Sequence, residues 1–215
     1  MTAQAHERAL YGGAITAYIP DSFVDASTMR EIPDHQEVYV DVDTDQSIIV
    51  ELLDYLTDKS DLEAANYHFW ELASDNSATD ASQVISIRAI NNSELPNLSA
   101  SMGIDGFQAI IIHGIQRIAK FKEHSSNAYN QVHIYLCLVR LPAVGTDLLV
   151  TFNHTTQLGS SSSSAGALRS EYQVRARSGD PAAASLLGAG TVEEVMGKFT
   201  RLVQSIHIKD RSLFG

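Results

Sequence analysis

Val38, Val40 and Val42 alternate with Glu37, Tyr39 and Asp41, and a two-residue period with one apolar side marks a half-buried strand. Ile15, Ala17 and Ile19 alternate in the same way against Thr16 and Tyr18 within Leu10–Ile19, and Pro20 closes that run. Five further segments are rich in β-branched or aromatic residues and bounded by Gly, Pro, Asn, Asp or Ser: Asn66–Leu72, Gln83–Ile90, Phe107–Ile115, Gln131–Leu141 and Asp147–Phe152. All five read as strands. So many strands with few helices between them hold the chain to a largely antiparallel sheet with helices packed on it, an α+β domain.

Two segments carry a helical period instead. Ile49, Leu52, Leu53 and Leu56 recur at helical spacing over Ser47–Leu56, with Asp45 or Ser47 placed to cap the start. On that reading Glu51, Asp54 and Asp58 follow at steps of three and four and form one acidic face pointing away from the core. Over Thr191–Ile206, Val192, Val195, Met196, Phe199, Leu202, Val203 and Ile206 fall on one helical stripe. Asp21–Pro33 reads as an irregular connector, residues 1–9 as a flexible leader, and residues 10–215 as one domain. The serine run Ser160–Ser164 and the Ala- and Gly-rich sequence after it predict a disordered insertion at about 159–190.

Charge is unevenly distributed. Asp21–Asp80 holds sixteen Asp and Glu against Arg30 and Lys59, a formal charge of −14 within a chain whose total is −11. Such a field repels nucleic acid and anionic lipid and attracts basic protein surfaces. A basic protein partner is therefore expected, with no nucleic acid and no membrane insertion. The single cysteine, Cys137, lies in the strand-like run Val132–Arg140 and reads as a small core residue. With no disulfide framework, no apolar signal and no 18-residue apolar run, a soluble intracellular monomer in nucleus and cytoplasm is expected.

Enzymatic signatures are missing. Gly12-Gly13 is not followed by the Lys-Ser/Thr of a phosphate loop, there is no His-Glu-x-x-His or paired-cysteine spacing, and no Gly-x-Ser-x-Gly elbow occurs. Asp41-Val-Asp-Thr-Asp45 opens like a calcium loop, but Gln46 stands where the sequence should turn, so it reads as a solvated turn. His68 and His133 read as hydrogen-bonded sheet histidines, and Trp70 as a buried strand residue. Neither a cofactor nor a metal is expected, and the chain reads as a non-enzyme.

Leu10-Tyr-Gly-Gly-Ala-Ile15, Asp25-Ala-Ser-Thr-Met-Arg30, Ile32-Pro-Asp-His-Gln-Glu-Val-Tyr39 and Asp45-Gln-Ser-Ile-Ile-Val-Glu-Leu-Leu53 occur in order. Tyr67-His-Phe69, Leu138-Val-Arg-Leu-Pro142, Thr146-Asp-Leu-Leu-Val-Thr-Phe-Asn153 and Ser212-Leu-Phe-Gly215 follow. Together these segments resemble the Ran guanine nucleotide release factor family, the Mog-type Ran-binding proteins. The resemblance implies a six-stranded, mainly antiparallel sheet between helices, in α/β/α layers similar to the PsbP-like extrinsic subunit of photosystem II. It implies binding to the small GTPase Ran, release of the guanine nucleotide, and a part in nucleocytoplasmic transport. Glu51 and Asp54 match two carboxylates that the family uses for Ran contact, with the acid types exchanged. Asp25, Arg30, Asp34 and Glu37 match its N-terminal motif as surface neighbours, and Tyr39, Tyr55 and Trp70 are candidate apolar anchors. A non-exchange adaptor that recruits a basic partner through the same acidic surface is the alternative.

Overall fold

The computed structural model describes residues 5–41, 44–119, 129–159 and 190–215. In chain order the strands are β1 (Ala5–Leu10), β2 (Ile15–Pro20), β3 (Val24–Asp25), β4 (Gln36–Asp41), β5 (Gln46–Asp54), β6 (Ser82–Ile90), β7 (Gln108–Ala119), β8 (Tyr129–Leu141), β9 (Thr146–Gln157) and β10 (His207–Ile208). Among the described residues the α-helices are α1 (Asp61–Asp75), α2 (Pro96–Met102) and α3 (Val192–Ser205). A seven-stranded antiparallel sheet runs β3-β4-β5-β9-β8-β7-β6, and a second sheet of three strands runs β1-β2-β10. The large sheet thus has seven strands where the family resemblance implies six. Residues 5–9 of the expected leader lie in β1, paired along its length with β2. Apart from its end residues, the expected insertion at 159–190 lies outside the described residues, as do Val42 and Asp43 of the calcium-like turn.

The large sheet is covered on both faces. One face buries Ile48 and Val50 of β5, Tyr135, Cys137 and Val139 of β8 and Leu148, Val150 and Phe152 of β9 against Val195, Phe199 and Leu202 of α3 and Ile15, Ala17 and Ile19 of β2. The other buries Ile110 and Ile112 of β7 and Ile134, Leu136 and Leu138 of β8 beneath Ala64, Ala65 and Phe69 of α1. Burial on both faces makes β8 an almost continuous apolar run, and it encloses Cys137, whose thiol is pushed up to about 12 by burial.

Two expected elements are exchanged. Gln46–Asp54 is strand β5, not a helix. It lies between β4 and β9, so alternate residues enter different cores: Ile48 and Val50 one, Leu53 the other. A central strand with apolar residues on both sides imitates helical spacing by chance, and β-branched Ile48, Ile49 and Val50 favour the extended form. Conversely, the aromatic-rich Asn66–Leu72 is the middle of helix α1. Ala64, Ala65, His68, Phe69 and Ala73 make its buried stripe, and Ser60 with Glu63 closes a capping box at its start.

Gly114 of β7 is where α1 meets the sheet. A methyl group there would clash with Cε2 of the Phe69 ring and lie 2.5 Å from its Cζ and 2.9 Å from the Gln83 carbonyl oxygen of the neighbouring strand. Backbone on one side and a buried ring on the other leave little room to yield. Gly114→Ala is expected to destabilise the protein by about 2 kcal/mol or more, a loss readable as a lowered urea midpoint at constant slope.

Candidate functional site: the acidic sheet edge

The chain turn after β1 determines the geometry of the acidic edge. Tyr11, Gly12 and Gly13 all have positive φ, 49°, 65° and 97°, and a left-handed tyrosine is uncommon. The turn points the Tyr11 N–H at Glu37 of β4, whose Oε1 accepts it at 2.5 Å. The Tyr11 hydroxyl reaches the carbonyl oxygens of Val50 at 2.8 Å and His35 at 3.0 Å. The His35 carbonyl also accepts the Leu52 N–H at 2.9 Å, so the start of β4 is tied to both β5 and the Tyr11 turn. Burial first, then the negative charges of Glu37 and Glu51, push the Tyr11 hydroxyl well above its ordinary range. It stays a neutral donor to the Val50 and His35 carbonyls, while the Glu37 carboxylate is held by the Tyr11 N–H.

Register then decides which candidate residues meet. Asp25 pairs with Tyr39, and Glu37 with Val50, so Asp25, Tyr39 and Glu37 share one face of the sheet. The Tyr39 hydroxyl is pushed up to about 12 by burial, by Glu37 and by Asp25, with Arg8 opposing. Asp25 also accepts the Ser27 N–H at 2.8 Å and shapes the turn leading to exposed Met29 and Arg30. Asp34 is exposed in the connector just before β4.

Glu51 pairs with Gln36, whose amide donates to it at 2.6 Å, and it lies on the opposite face from Glu37. The expected common face of Glu51, Asp54 and Asp58 does not form. In an extended strand Glu51 and Asp54 are an odd number of residues apart, about 10 Å along β5, with side chains on opposite sides. Asp54 is exposed at the far end of β5, beside Thr146, and Asp58 lies in the following turn with Lys59 at 3.0 Å. The structure brings together Asp25 and Glu37, with Arg30, Asp34 and Glu51 on the adjoining connector and strand. It sets Asp54 and Asp58 apart.

The aromatic anchors are also redistributed. Tyr39 is buried. Tyr55 is half-buried under the Arg140 guanidinium, 4.0 Å from ring centre to Cζ. Trp70 is exposed on α1 and not buried in a strand. At the acidic edge the exposed apolar residues are Val24 and Met29, which follow no period and carry no sequence signal beyond their neighbours.

The turn holding Asp58 is organised from beneath by a buried ion pair. Arg140 of β8 and Asp147 of β9 are register partners, with Nε 3.1 Å from Oδ1. The guanidinium also donates to the Leu56 carbonyl at 2.5 Å, to the Lys59 carbonyl at 2.9 Å and to Asp61 at 3.1 Å. Asp147 takes the Leu56 N–H at 3.2 Å and faces Nε2 of His68 at 3.5 Å. Burial alone would raise the Asp147 carboxyl, but the His68 ring, the Leu56 N–H and Arg140 together hold it below the ordinary carboxylate range. His68 therefore serves a helix-to-sheet contact and not a sheet ladder.

A row of histidines crosses the other half of the sheet. His133 of β8, read as a sheet histidine, has Nδ1 2.9 Å from Nε2 of His113, and the His113 ring stacks on Tyr135 with centres 4.7 Å apart. His154 of β9 pairs with His133, and its Nδ1 lies 3.1 Å from the Gln46 amide. Burial, then the neighbouring His113, pulls His133 down to about 4; burial, then His133 and Lys198, does the same to His154. The unfolded chain takes up these protons near 6.5, so this contribution to stability is present above pH 6.5 and is lost as pH falls towards 4. Urea unfolding at pH 7 and pH 5 should show a loss on the order of a few kcal/mol, and His133→Gln with His154→Gln should flatten the difference. Among the described residues, no group of three or more His, Cys, Asp or Glu is arranged to hold a metal ion.

Residues 8–155 match the model of the family described as Ran-interacting Mog1 protein. The chain is 36% identical over 215 residues to the probable Ran guanine nucleotide release factor of Dictyostelium discoideum, covering 100% of this chain and 98% of that protein. It is 34% identical over 213 residues to the Ran guanine nucleotide release factor of Danio rerio, covering 97% of this chain and 99% of that one. The crystal structure of the Saccharomyces cerevisiae Ran-binding protein Mog1p superposes with a TM-score of 0.64 at 27% identity, covering 100% of both chains. The ordered motifs, the mixed α+β fold with antiparallel sheets and these full-length matches agree: the chain belongs to the Ran-interacting Mog1 family.

Proposed function

We propose that the chain binds the small GTPase Ran through the β3–β5 edge and promotes release of its bound guanine nucleotide, in support of nucleocytoplasmic transport. The observation that carries this reading is Glu37, a carboxylate at a sheet edge held in place by a backbone N–H from a strained turn. Glu37 and Asp25 carry negative charge on one face, with Glu51 on the opposite face of β5, exposed Asp34 and Arg30 on the flanking connectors, and Met29 and Val24 as exposed apolar residues. Asp54 and Asp58 add to the field that steers a basic partner and do not sit at the contact. The names of relatives as Ran guanine nucleotide release factors and nuclear import proteins support the partner and the process. Action in both nucleus and cytoplasm follows from a transport role.

No covalent step is required of such a factor. By reciprocity, a protein that lowers the nucleotide affinity of Ran must bind nucleotide-free Ran more tightly than loaded Ran by the same factor. Carboxylates held rigidly at a sheet edge suit that task, because a basic group that otherwise steadies the nucleotide can exchange one anionic partner for another without reorganisation of the edge. Release of a fluorescent guanine nucleotide from purified Ran is expected to accelerate in proportion to added chain at sub-saturating concentration. Binding with an unchanged release rate would instead make the protein an adaptor.

A further inference from the structure

Helix α1 turns a second, different surface to solvent. Its sequence has four carboxylates, Asp61, Glu63, Glu71 and Asp75, and neither Lys nor Arg. Along that outer side Tyr67 is 39% exposed and Trp70 40%, although large apolar side chains on a helix this well seated in the core would ordinarily turn inward. Tyr67 and Trp70 are one helical turn apart, and Glu63 and Glu71 stand four residues before and after Tyr67, so aromatic and acidic groups share one stripe. Trp70 is steadied from beneath by the buried Phe69 ring, edge to face at 5.4 Å between centres.

One contact within the chain indicates the chemistry that suits this stripe. Lys59 places its ammonium 5.0 Å from the centre of the Tyr67 ring while paired with Asp58 at 3.0 Å. An aromatic face beside carboxylates is thus already used for a cation, and Trp70, the better cation–π ring, has an exposed side of the same kind. The charge selects the occupant. A second copy would bring two acidic helices together, and nucleic acid or an anionic membrane would be repelled.

We propose that the outer face of α1 is a docking surface for a basic segment of a protein partner, which lays an Arg or Lys over Trp70 and pairs a neighbouring cation with Glu71. This surface is carried by elements other than the β3–β5 edge, and the inference does not rest on the Ran reading. A partner could therefore be held on α1 while the edge is engaged.

Trp70 is the only tryptophan of the chain, so its emission reports on this surface alone. The probe is a short acetylated peptide alternating arginine and leucine, titrated into the full chain, with a glutamate-leucine peptide as control. Saturable quenching by the arginine peptide only is expected. Glu71→Lys should weaken it about tenfold, Tyr67→Ala and the milder Glu71→Gln should weaken it less, and Glu37→Lys should leave it unchanged. Far-ultraviolet circular dichroism checks that each variant remains folded. The proposal is overturned by an unsaturable signal, by equal quenching with the glutamate peptide, by indifference to both Glu71 variants, by loss with Glu37→Lys, or by a change in emission with protein concentration alone, which would mean self-association.

Discussion

Glu37→Lys is expected to weaken Ran binding at least about a hundredfold while the protein stays folded. Reversing one charge that a basic partner group meets in a desolvated contact costs about 3 kcal/mol or more, and each 1.4 kcal/mol is a factor of ten. The cost to folding is smaller. Glu37 accepts a single backbone N–H from Tyr11 at 2.5 Å, and losing a bond of that kind costs about 1–3 kcal/mol. Glu37→Gln separates the two effects, since its amide oxygen can still accept the Tyr11 N–H but carries no charge. It should bind Ran about tenfold more weakly with thermal unfolding nearly unchanged. Tyr11→Phe tests the support beneath: it removes the hydroxyl contacts to Val50 and His35 and keeps the N–H, so its effect on binding should be smaller than that of Glu37→Gln. Calorimetric titration and thermal unfolding of the same preparations give both readings.

Arg140→Met is expected to produce the largest loss of stability, about 3–5 kcal/mol. It removes the guanidinium from a fully buried Asp147 and takes the donor from the carbonyls of Leu56 and Lys59. An uncompensated buried carboxylate costs more than the pair contributed, so Arg140→Met with Asp147→Leu should recover much of the loss. The turn over residues 55–60 would still lack its anchors, and the start of α1 should exchange its amide hydrogens faster even in the double variant. Urea unfolding gives the energies, and hydrogen exchange gives the local effect.

Alternation locates β2 and β4, β-branched or aromatic content between turn residues locates β6, β7, β8 and β9, and one helical stripe locates α3. None of these signals locates β5. A strand buried on both sides loses its two-residue signature, and Ile49, Leu52, Leu53 and Leu56 then match a helix as well as a strand. That one exchange moved the candidate site, since helical geometry puts Glu51 and Asp54 together and strand geometry puts them on opposite faces. Ser60-x-x-Glu63 is a capping-box pattern that marks the true helix start, and reading Asn66–Leu72 as a strand from its aromatic content takes no account of it. Glu37 and Asp25 were legible as motif residues only. Their meeting depends on the pairing of β3, β4 and β5 and on the Tyr11 turn, contacts between segments that no local period encodes. The Arg140–Asp147 pair was hidden for the same reason, each residue being an isolated charge in an apolar run until the strands pair.

The β3–β5 edge as the release surface is tested most directly by nucleotide off-rates from Ran measured with two charge-reversed variants side by side. With Asp25→Lys/Glu37→Lys the acceleration over Ran alone should vanish. With Asp54→Lys/Asp58→Lys most of it should remain, with a lower rate of association that converges on the wild-type value at high salt. Full release activity in the first variant, or its loss only in the second, would contradict the assignment and return the site to the end of β5.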